Sequence, residues 1–256
     1  MLVSLVGRET MESDCVNILG VKVNCVTKEK LLQTITLWTQ EDEKRTVTYV
    51  NAHGLNLAYT QASFQTLLNQ ADLIYSDGIG GVWASRFLNG CKLEKITGRE
   101  WIYDFCDLAV KQDLKLYIIA GSPGIAGQAR DHLLNTRPDL KISGVCDGYF
   151  VEKGEAEALS EIRRESPDVI FIGMGSPLQE QWISIHRDAI PAKIFWAVGA
   201  LFDNIAGLEP SVPTWMNTLA LEWLWRLFMD PAGKWRRYLV GIPLFAIRVI
   251  KQKLTQ

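Results

Sequence analysis

The sequence predicts an α/β fold with a mostly parallel sheet, followed by a C-terminal helical appendage. Two observations lead to this prediction. Short β-branched or apolar runs alternate with amphipathic runs through residues 14–207, as they do in βαβ units. After Gly207, aromatic and aliphatic residues are mixed with arginine and lysine, and prolines interrupt the segment. We therefore predict a loose leader at residues 1–13, a main domain at 14–207 and an appendage at 208–256.

The individual elements follow in order along the chain. Residues 16–26 alternate and contain a glycine, which predicts a strand or hairpin, and Thr27 is placed to cap the next helix. Residues 155–166 are predicted to form an amphipathic helix. Strands that end in a loop or a helix are predicted at residues 46–59, 73–87, 115–134, 141–150, 168–186 and 193–207. Ligands bind beyond the carboxyl ends of parallel strands, so these loops are the first candidates for a site.

Charge is distributed unevenly along the 256 residues. The net charge is −2, yet residues 226–256 hold seven basic residues and one acidic residue. A basic tail on an acidic body predicts an anionic partner for the tail. The acidic body and the lack of a nucleic-acid motif argue against nucleic acid. No uncharged apolar run is long enough to predict a membrane-spanning helix. Five cysteines without a CxxC pair predict a reduced intracellular protein with buried thiols.

Asp77 stands directly after the apolar run LIYS and inside a glycine turn. A carboxylate at a strand end suits a general base that meets a substrate hydroxyl. Asp-Gly is also a common turn pair, so the residues alone leave both interpretations open. Other polar or glycine-rich segments also follow predicted strands, namely Asn51, Gly121 to Gly127, Gly173 to Gln179 and Gly199 to Asp203.

The loop GSPGIAG, from Gly121 to Gly127, follows a strand and precedes a helix. Its glycines would let backbone N–H groups approach a phosphate at a helix N-terminus, although a plain tight turn fits equally well. Neither this loop nor the glycine turn after Asp77 has the GxGxxG spacing of dinucleotide sites. The side-chain amide of Gln179 can both donate and accept hydrogen bonds. It could therefore bind a sugar or a uracil ring, or it could cap a helix.

Metal and covalent chemistry have no support in the sequence. His53, His132 and His186 are scattered, and there is no HExxH motif, cysteine cluster or DxD pair. We therefore expect no metal and no cofactor. The basic aromatic tail fits either a core helix with a solvated face or a segment that lies in a membrane interface.

Taken together, seven segments resemble the WecG/TagA/CpsF family of bacterial glycosyltransferases over residues 16–238. They are YVNAH at 49–53, ADLIYSDGIGGVW at 71–83, KITG at 95–98, IIAGSPG at 118–124, FIGMGSPLQE at 171–180, VGALFDNIAG at 198–207 and LALEWLWRLFMDPAGKWRRYL at 219–239. Each segment is weak alone, but their order and spacing are specific.

The resemblance implies a Rossmann-like α/β catalytic domain, with helices on both faces of the sheet, and a membrane-associating appendage. It implies inverting transfer of a sugar, often N-acetylmannosamine, from a UDP-sugar to an undecaprenyl-diphosphate-linked sugar in cell-surface polysaccharide synthesis. The enzyme would work without a metal as a peripheral protein on the cytoplasmic membrane surface. A homo-oligomer is compatible with the sequence.

The resemblance also implies roles for individual residues. Asp77 matches the catalytic base, while Asn51 and Gln179 match active-site residues. The remaining substrate-binding candidates are Tyr49, Lys95, Gly121, Ser122, Gly124, Gly175 and Asp203. The candidates for contact with the acceptor diphosphate or the membrane are Arg226, Arg236, Arg237, Trp223, Trp225 and Trp235.

The chain departs from the family pattern at a few positions. Tyr49 stands where threonine is frequent, and Lys95 stands where arginine is usual, which keeps the charge but loses bidentate geometry. Gly233 replaces a frequent arginine, and Ser211-Val212-Pro213 replaces Arg-Ala-Pro. These departures affect the choice of sugar and acceptor rather than the reaction class. The alternatives are another UDP-hexose or uronic acid donor, a nucleotide-dependent oxidoreductase and a non-catalytic membrane scaffold.

Overall fold

The computed structural model describes residues 15–207, 216 and 221–256. The predicted leader and the segment Ser211-Val212-Pro213 lie outside these residues. The described chain has eight strands, which are β1 (Cys15–Ile18), β2 (Val21–Asn24), β3 (Arg45–Val50), β4 (Leu73–Ser76), β5 (Lys115–Ala120), β6 (Lys141–Cys146), β7 (Val169–Gly173) and β8 (Ile194–Ala197). Strands β1 and β2 form the predicted hairpin.

The other six strands form one sheet in the order β4-β3-β8-β7-β5-β6. The pairs β3–β8, β8–β7, β7–β5 and β5–β6 are parallel. Every residue of β4, β7 and β8 is buried, as expected for strands that are covered on both faces. The α/β class and the parallel sheet are therefore confirmed.

Twelve α-helices lie between or after the strands in the described residues. They are α1 (Lys28–Trp38), α2 (Ala52–Thr60), α3 (Ala62–Asn69), α4 (Ile79–Phe87), α5 (Gly98–Lys111), α6 (Ile125–Thr136), α7 (Glu155–Glu165), α8 (Leu178–His186), α9 (Leu201–Ile205), α10 (Glu222–Met229), α11 (Pro231–Trp235) and α12 (Gly241–Leu254). A 3₁₀ turn at Arg187–Ala189 follows α8, and a π-helical turn at Arg236–Val240 joins α11 to α12. No described helix has the length and apolar character that crossing a membrane requires.

The chain divides into two compact units, and strand β3 contributes to both. The first, called the base unit here, comprises the described parts of Met1–Thr27, Tyr49–Thr97 and Ser211–Gln256. The second, called the loop unit, comprises Lys28–Thr48 and the described part of Gly98–Pro210. These units differ from the predicted domains, because residues after 210 group with earlier parts of the chain.

The last helix explains this difference. Phe245 and Val249 of α12 are buried in the core of the base unit together with the β1–β2 hairpin. Burial of such side chains contributes roughly 1.5–3 kcal/mol each. Gln252 accepts a hydrogen bond from the Leu19 N–H at 2.8 Å and donates one to the Asn17 carbonyl at 2.9 Å. Helix α12 is thus part of the base unit's core.

The loop unit has a core of aromatic rings. Trp101 of α5 stacks on Trp196 of β8 with ring centroids 3.9 Å apart, and Phe105 and Phe171 meet this pair edge-on or tilted. Stacked and edge-to-face rings of this kind add to the stabilisation that burial provides. These rings form part of the buried core of the loop unit.

The prediction that all five cysteines are reduced is wrong for one pair. Cys25 and Cys91 form a disulfide in the base unit, with their Cα atoms 6.1 Å apart. Cys106 and Cys146 are free and buried, whereas Cys15 is free and exposed. The two bonded residues are separated by 66 positions, and sequence spacing gives no signal of their proximity.

Candidate active site

Asp77 follows β4 directly and begins the turn into α4. Its backbone N–H donates to the Val50 carbonyl at 2.8 Å, which fixes the residue beside the end of β3. Gly78 then takes a φ of 91°, a conformation that side chains other than glycine rarely adopt. The glycine thus lets the chain leave the strand sharply while the carboxylate stays at the strand end.

Asn51 links this carboxylate to the neighbouring helix. Its side-chain oxygen caps α2, accepting hydrogen bonds from the N–H groups of His53 at 3.1 Å and Gly54 at 3.0 Å. The Asn51 side chain is also hydrogen-bonded to Asp77. Because this hydrogen bond lowers the pKa of Asp77, it favours the ionised carboxylate, which can only accept, so the Asn51 amide is the donor. Asn51 follows β3 and Asp77 follows β4, so the two residues lie at the ends of neighbouring strands.

The pKa of Asp77 is raised to about 6. Burial, which removes water from the carboxylate, is the main cause, and the negative charge of Glu222 adds to it. The positive charges of Arg226 and Arg237 and the hydrogen bond from Asn51 oppose the rise. A carboxylate with a pKa near neutrality can take a proton in one step and release it in another, which suits a general base.

Two of the charges that act on Asp77, those of Glu222 and Arg226, come from helix α10. They lie on one face of the helix, since they are four residues apart. The Lys95 ammonium forms an ion pair with Glu222 at 2.7 Å, and both side chains are less than a third exposed. Desolvation and the charge of Arg237 lower the pKa of His53 on α2. The base unit therefore gathers the Asp77 carboxylate, two arginines and an ion pair in one electrostatic environment.

Tyr49, another predicted substrate contact, lies near the end of β3. Its ring centroid is 6.2 Å from that of Tyr75, with the planes tilted by 43°. The side chain is partly exposed, so it remains accessible to a ligand. Its role as a substrate contact stays a prediction.

The glycine loop of the loop unit runs from Gly121 to Gly124, between β5 and α6. Gly121 has a φ of 67° and Gly124 a φ of 85°, so both use the left-handed region. The Gly121 N–H donates to the Gly173 carbonyl at 3.2 Å and is therefore not available to a ligand. Pro123 has no N–H group. Ser122 and Gly124 are exposed residues, and their backbone N–H groups have no hydrogen-bond partner within the described part of the chain. These two N–H groups are therefore the remaining candidates of the loop for binding a phosphate.

Gln179 is completely buried on α8. Its side-chain oxygen accepts a hydrogen bond from the Gly199 N–H at 3.0 Å, and its amide donates to Glu180 at 2.9 Å and Ser176 at 3.2 Å. Both N–H bonds of the amide therefore have acceptors within the protein, and a direct contact between Gln179 and a ligand stays a prediction. In this structure Gln179 fixes the loop after β8 to α8.

Glu180, which sequence reasoning missed, lies at the centre of the same network. Its Oε1 atom accepts from Ser176 at 2.9 Å, from Gln179 at 2.9 Å and from Thr48 at 3.2 Å. Its Oε2 atom is buried and has no partner among the described residues. Burial raises the pKa of Glu180, while those hydrogen bonds oppose the rise. Its sequence signals are its position beside Gln179 and its place at the end of the family segment FIGMGSPLQE.

Gly175 and Asp203 are the remaining candidates of the loop unit. Gly175 has a φ of 77° and open space where a side chain would project, so the loop after β7 leaves room at that point. Asp203 lies in the first turn of α9 and is partly buried. Both roles stay predictions.

The candidates for membrane or diphosphate contact fall into two groups. Trp223 and Trp225 are partly buried, and the indole N–H of Trp225 is buried. Trp235 is 44% exposed, and the guanidinium of Arg236 lies 5.3 Å from its ring centroid. The most exposed large apolar residues of α10 to α12 include Phe228, Leu239, Val240 and Ile247, which the sequence did not single out.

No group of three or more histidine, cysteine, aspartate or glutamate side chains that could hold a metal occurs in the residues that the structure covers. The expectation of a metal-independent reaction stays a prediction.

Comparison with known proteins identifies the family. Residues 16–256 match the Glycosyl transferase WecG/TagA/CpsF family. The chain is 28% identical over 207 residues to an N-acetylglucosaminyldiphosphoundecaprenol N-acetyl-beta-D-mannosaminyltransferase of Bacillus subtilis (strain 168), covering 81% of this chain and 79% of that protein. It is 28% identical over 242 residues to a protein of the same name from Staphylococcus aureus (strain MRSA252), covering 93% of each. The chain therefore belongs to this family of glycosyltransferases, and the resemblance noted in the sequence is confirmed.

Proposed function

We propose that this member of the WecG/TagA/CpsF family transfers N-acetylmannosamine from a UDP-sugar to an undecaprenyl-diphosphate-linked N-acetylglucosamine, with inversion. The relatives' names supply the transferred sugar and the acceptor. The observation that carries the proposal is Asp77, a strand-end carboxylate whose pKa is raised to about 6. Such a group is suited to activate a hydroxyl at neutral pH.

In the proposed reaction, Asp77 accepts the proton of the acceptor sugar's hydroxyl as that oxygen attacks the anomeric carbon of the donor. One carbon–oxygen bond forms, and the bond between the anomeric carbon and the diphosphate breaks. UDP leaves from the opposite face, so the configuration inverts. Asn51 holds the carboxylate in place through its hydrogen bond, and this positioning is what makes the base effective.

Each unit offers groups that suit the phosphates of the two substrates. In the base unit, Arg226 and Arg237 act on Asp77 and are assigned to the acceptor diphosphate. In the loop unit, the N–H groups of Ser122 and Gly124 lie at the start of α6, where a helix favours anions. We assign these groups to a phosphate of the nucleotide.

The exposed apolar residues after Glu222 support a peripheral position on the cytoplasmic membrane surface. Phe228, Leu239 and Val240 are more than half exposed, and Arg236 and Trp235 lie in the same segment. Apolar side chains that enter an interface next to cations give reversible binding to anionic lipid. Deletion of residues 219–256 is a poor test, because it would also remove Phe245 and Val249 from the core.

A pair of point variants tests the membrane proposal more sharply. Phe228→Ser should reduce sedimentation with phosphatidylglycerol vesicles. Ile185→Ser on α8 should leave it unchanged, although both side chains are 71% exposed. Binding of the wild-type protein should weaken with added salt. Equal sedimentation of the two variants would show that Phe228 and the segment around it do not contribute to membrane binding.

The activity itself is tested by UDP release from a panel of UDP-sugars, hexose and uronic acid donors included. Each donor is measured with and without N-acetylglucosaminyl-diphosphate carrying a short alkyl chain. The proposal expects acceptor-dependent release from UDP-N-acetylmannosamine. Preferential release from another donor would overturn the sugar assignment, and folded protein that neither binds UDP nor releases it would overturn the transferase proposal.

A further inference from the structure

Helix α4 begins two residues after Asp77 and presents large apolar side chains to the surface. Ile79, Trp83 and Phe87 are 45%, 40% and 39% exposed, respectively. Because they are spaced four residues apart, they lie along one face of the helix. We call these three residues the α4 surface. Over eight residues a helix rises by roughly 12 Å, so this surface leads away from the base over about that distance.

The α4 surface is held in place within the base unit. Trp83 stacks on Phe87 with ring centroids 5.5 Å apart and planes 13° from parallel. The ring of Trp83 also lies 6.3 Å from that of Phe245, which is buried in the core. These contacts fix the exposed rings in one orientation.

The N-terminus of α4 also has a fixed position, because it packs against helix α2, which Asn51 caps. A side chain added at Gly80 would lie 3.1 Å from the Ala52 Cβ atom, so α4 packs closely against the first residue of α2. Asn51, which caps α2, is hydrogen-bonded to Asp77. The base and the start of the α4 surface are therefore tied to the same point of the fold.

We propose that the α4 surface binds the polyprenyl chain of the acceptor; this inference rests on the proposed function. The acceptor's hydroxyl must reach Asp77, and its diphosphate needs cations such as Arg226 and Arg237, whose charges act on that carboxylate. The lipid chain leaves from the diphosphate and requires an apolar surface nearby. Exposed contiguous apolar side chains commonly mark a ligand or partner site.

The experiment compares two acceptors that differ only in their lipid. N-acetylglucosaminyl-diphosphate is prepared with an undecaprenyl chain and with a short alkyl chain, and both are presented in the same detergent. Trp83→Ser should raise the KM for the undecaprenyl acceptor about tenfold, the loss expected when one large apolar contact is removed. Its KM values for the short-chain acceptor and for the UDP-sugar should stay unchanged.

Two further variants separate binding from folding. Ile79→Ser removes exposed surface without touching the contact between Trp83 and Phe245, and should raise the same KM by a smaller factor. Leu37→Ser on α1 is the control, because Leu37 is 52% exposed and lies in the loop unit. It should leave the kinetics with both acceptors unchanged.

Three results would overturn the inference. Equal losses with both acceptors would show that the α4 surface is only structural. Weaker vesicle binding without any dependence on chain length would assign the surface to the bilayer. A change in oligomeric mass without that dependence would assign it to a second copy of the chain. Failure of the proposed function is recognised separately, since the wild-type protein would then transfer no sugar to either acceptor.

Discussion

The base unit and the loop unit use their polar groups in opposite ways. In the base unit, burial raises the pKa of Asp77 to about 6, and the charges of two arginines and a glutamate act on the same carboxylate. In the loop unit, Gln179 and Glu180 are buried and bonded to neighbouring protein groups. There the backbone N–H groups of Ser122 and Gly124 are left for a ligand. Charge changes in the base unit should thus alter turnover, whereas changes in the loop-unit network should alter stability and nucleotide affinity.

The largest expected effect comes from Asp77→Asn. The amide keeps the size of the side chain but cannot accept the proton, so kcat should fall by about 10²–10⁴-fold. UDP binding should be retained, as measured by calorimetry. Asp131→Asn is the matched control, because that carboxylate is exposed on α6, and it should keep full activity. Normal turnover by Asp77→Asn would mean that this carboxylate is not the base.

A second variant tests the loop unit. Glu180→Ala leaves the donors of Thr48, Ser176 and Gln179 without their common acceptor, and each unsatisfied buried group costs about 1–3 kcal/mol. We expect a lower free energy of unfolding by about 2–4 kcal/mol and weaker UDP binding. Glu180→Gln, which keeps one acceptor oxygen, should lose much less. If both variants match the wild-type protein in denaturant melts, the network does not support the unit.

The stability of Asp77→Asn gives a third, smaller prediction. The folded pKa of Asp77 lies above its ordinary value of 3.8, so ionisation of this group disfavours the folded state. The cost is absent below about pH 4 and grows as the pH rises through about 6. At pH 7 the variant should be more stable than the wild-type protein by up to about 3 kcal/mol, and at pH 4 the difference should fall below about 1 kcal/mol. Unfolding at the two pH values measures this, and a destabilised variant at pH 7 would contradict the burial argument.

The smallest expected effect concerns Glu222. Its negative charge raises the pKa of Asp77, so Glu222→Gln should lower that pKa. The acid limb of kcat/KM should move to lower pH. Glu157→Gln, on α7 of the loop unit, is the control and should leave the limb in place. An unchanged acid limb, or a shift toward higher pH, would contradict a direct effect of the Glu222 charge on Asp77.

Local patterns were sufficient for much of the fold and for the position of Asp77. The alternating residues 16–26 became the β1–β2 hairpin, and the change from strand to helix was predicted at Asn51, which does cap α2. Asp77 could be singled out because a strand, a carboxylate and a glycine turn follow one another directly. Helix α5 went unrecognised although its apolar residues recur at helical spacing.

The features that sequence reasoning missed depend on contacts between distant residues. Helix α12 belongs to the core because Phe245 and Val249 reach the hairpin, a contact that no local pattern records. The same holds for the pairing of Lys95 with Glu222 and for the disulfide between Cys25 and Cys91. The use of the Gly121 N–H group by Gly173 is likewise visible only once β5 and β7 are paired.

The pH dependence of kcat/KM, measured as acceptor-dependent UDP release by the wild-type protein, tests the central claim most directly. If Asp77 is the base, activity should fall on the acid side with an apparent pKa of about 6, one proton being involved. This limb should be missing from the residual activity of Asp77→Asn. A limb near the ordinary pKa of an exposed aspartate, or one that persists unchanged in Asp77→Asn, would contradict the assignment of Asp77 as the buried base.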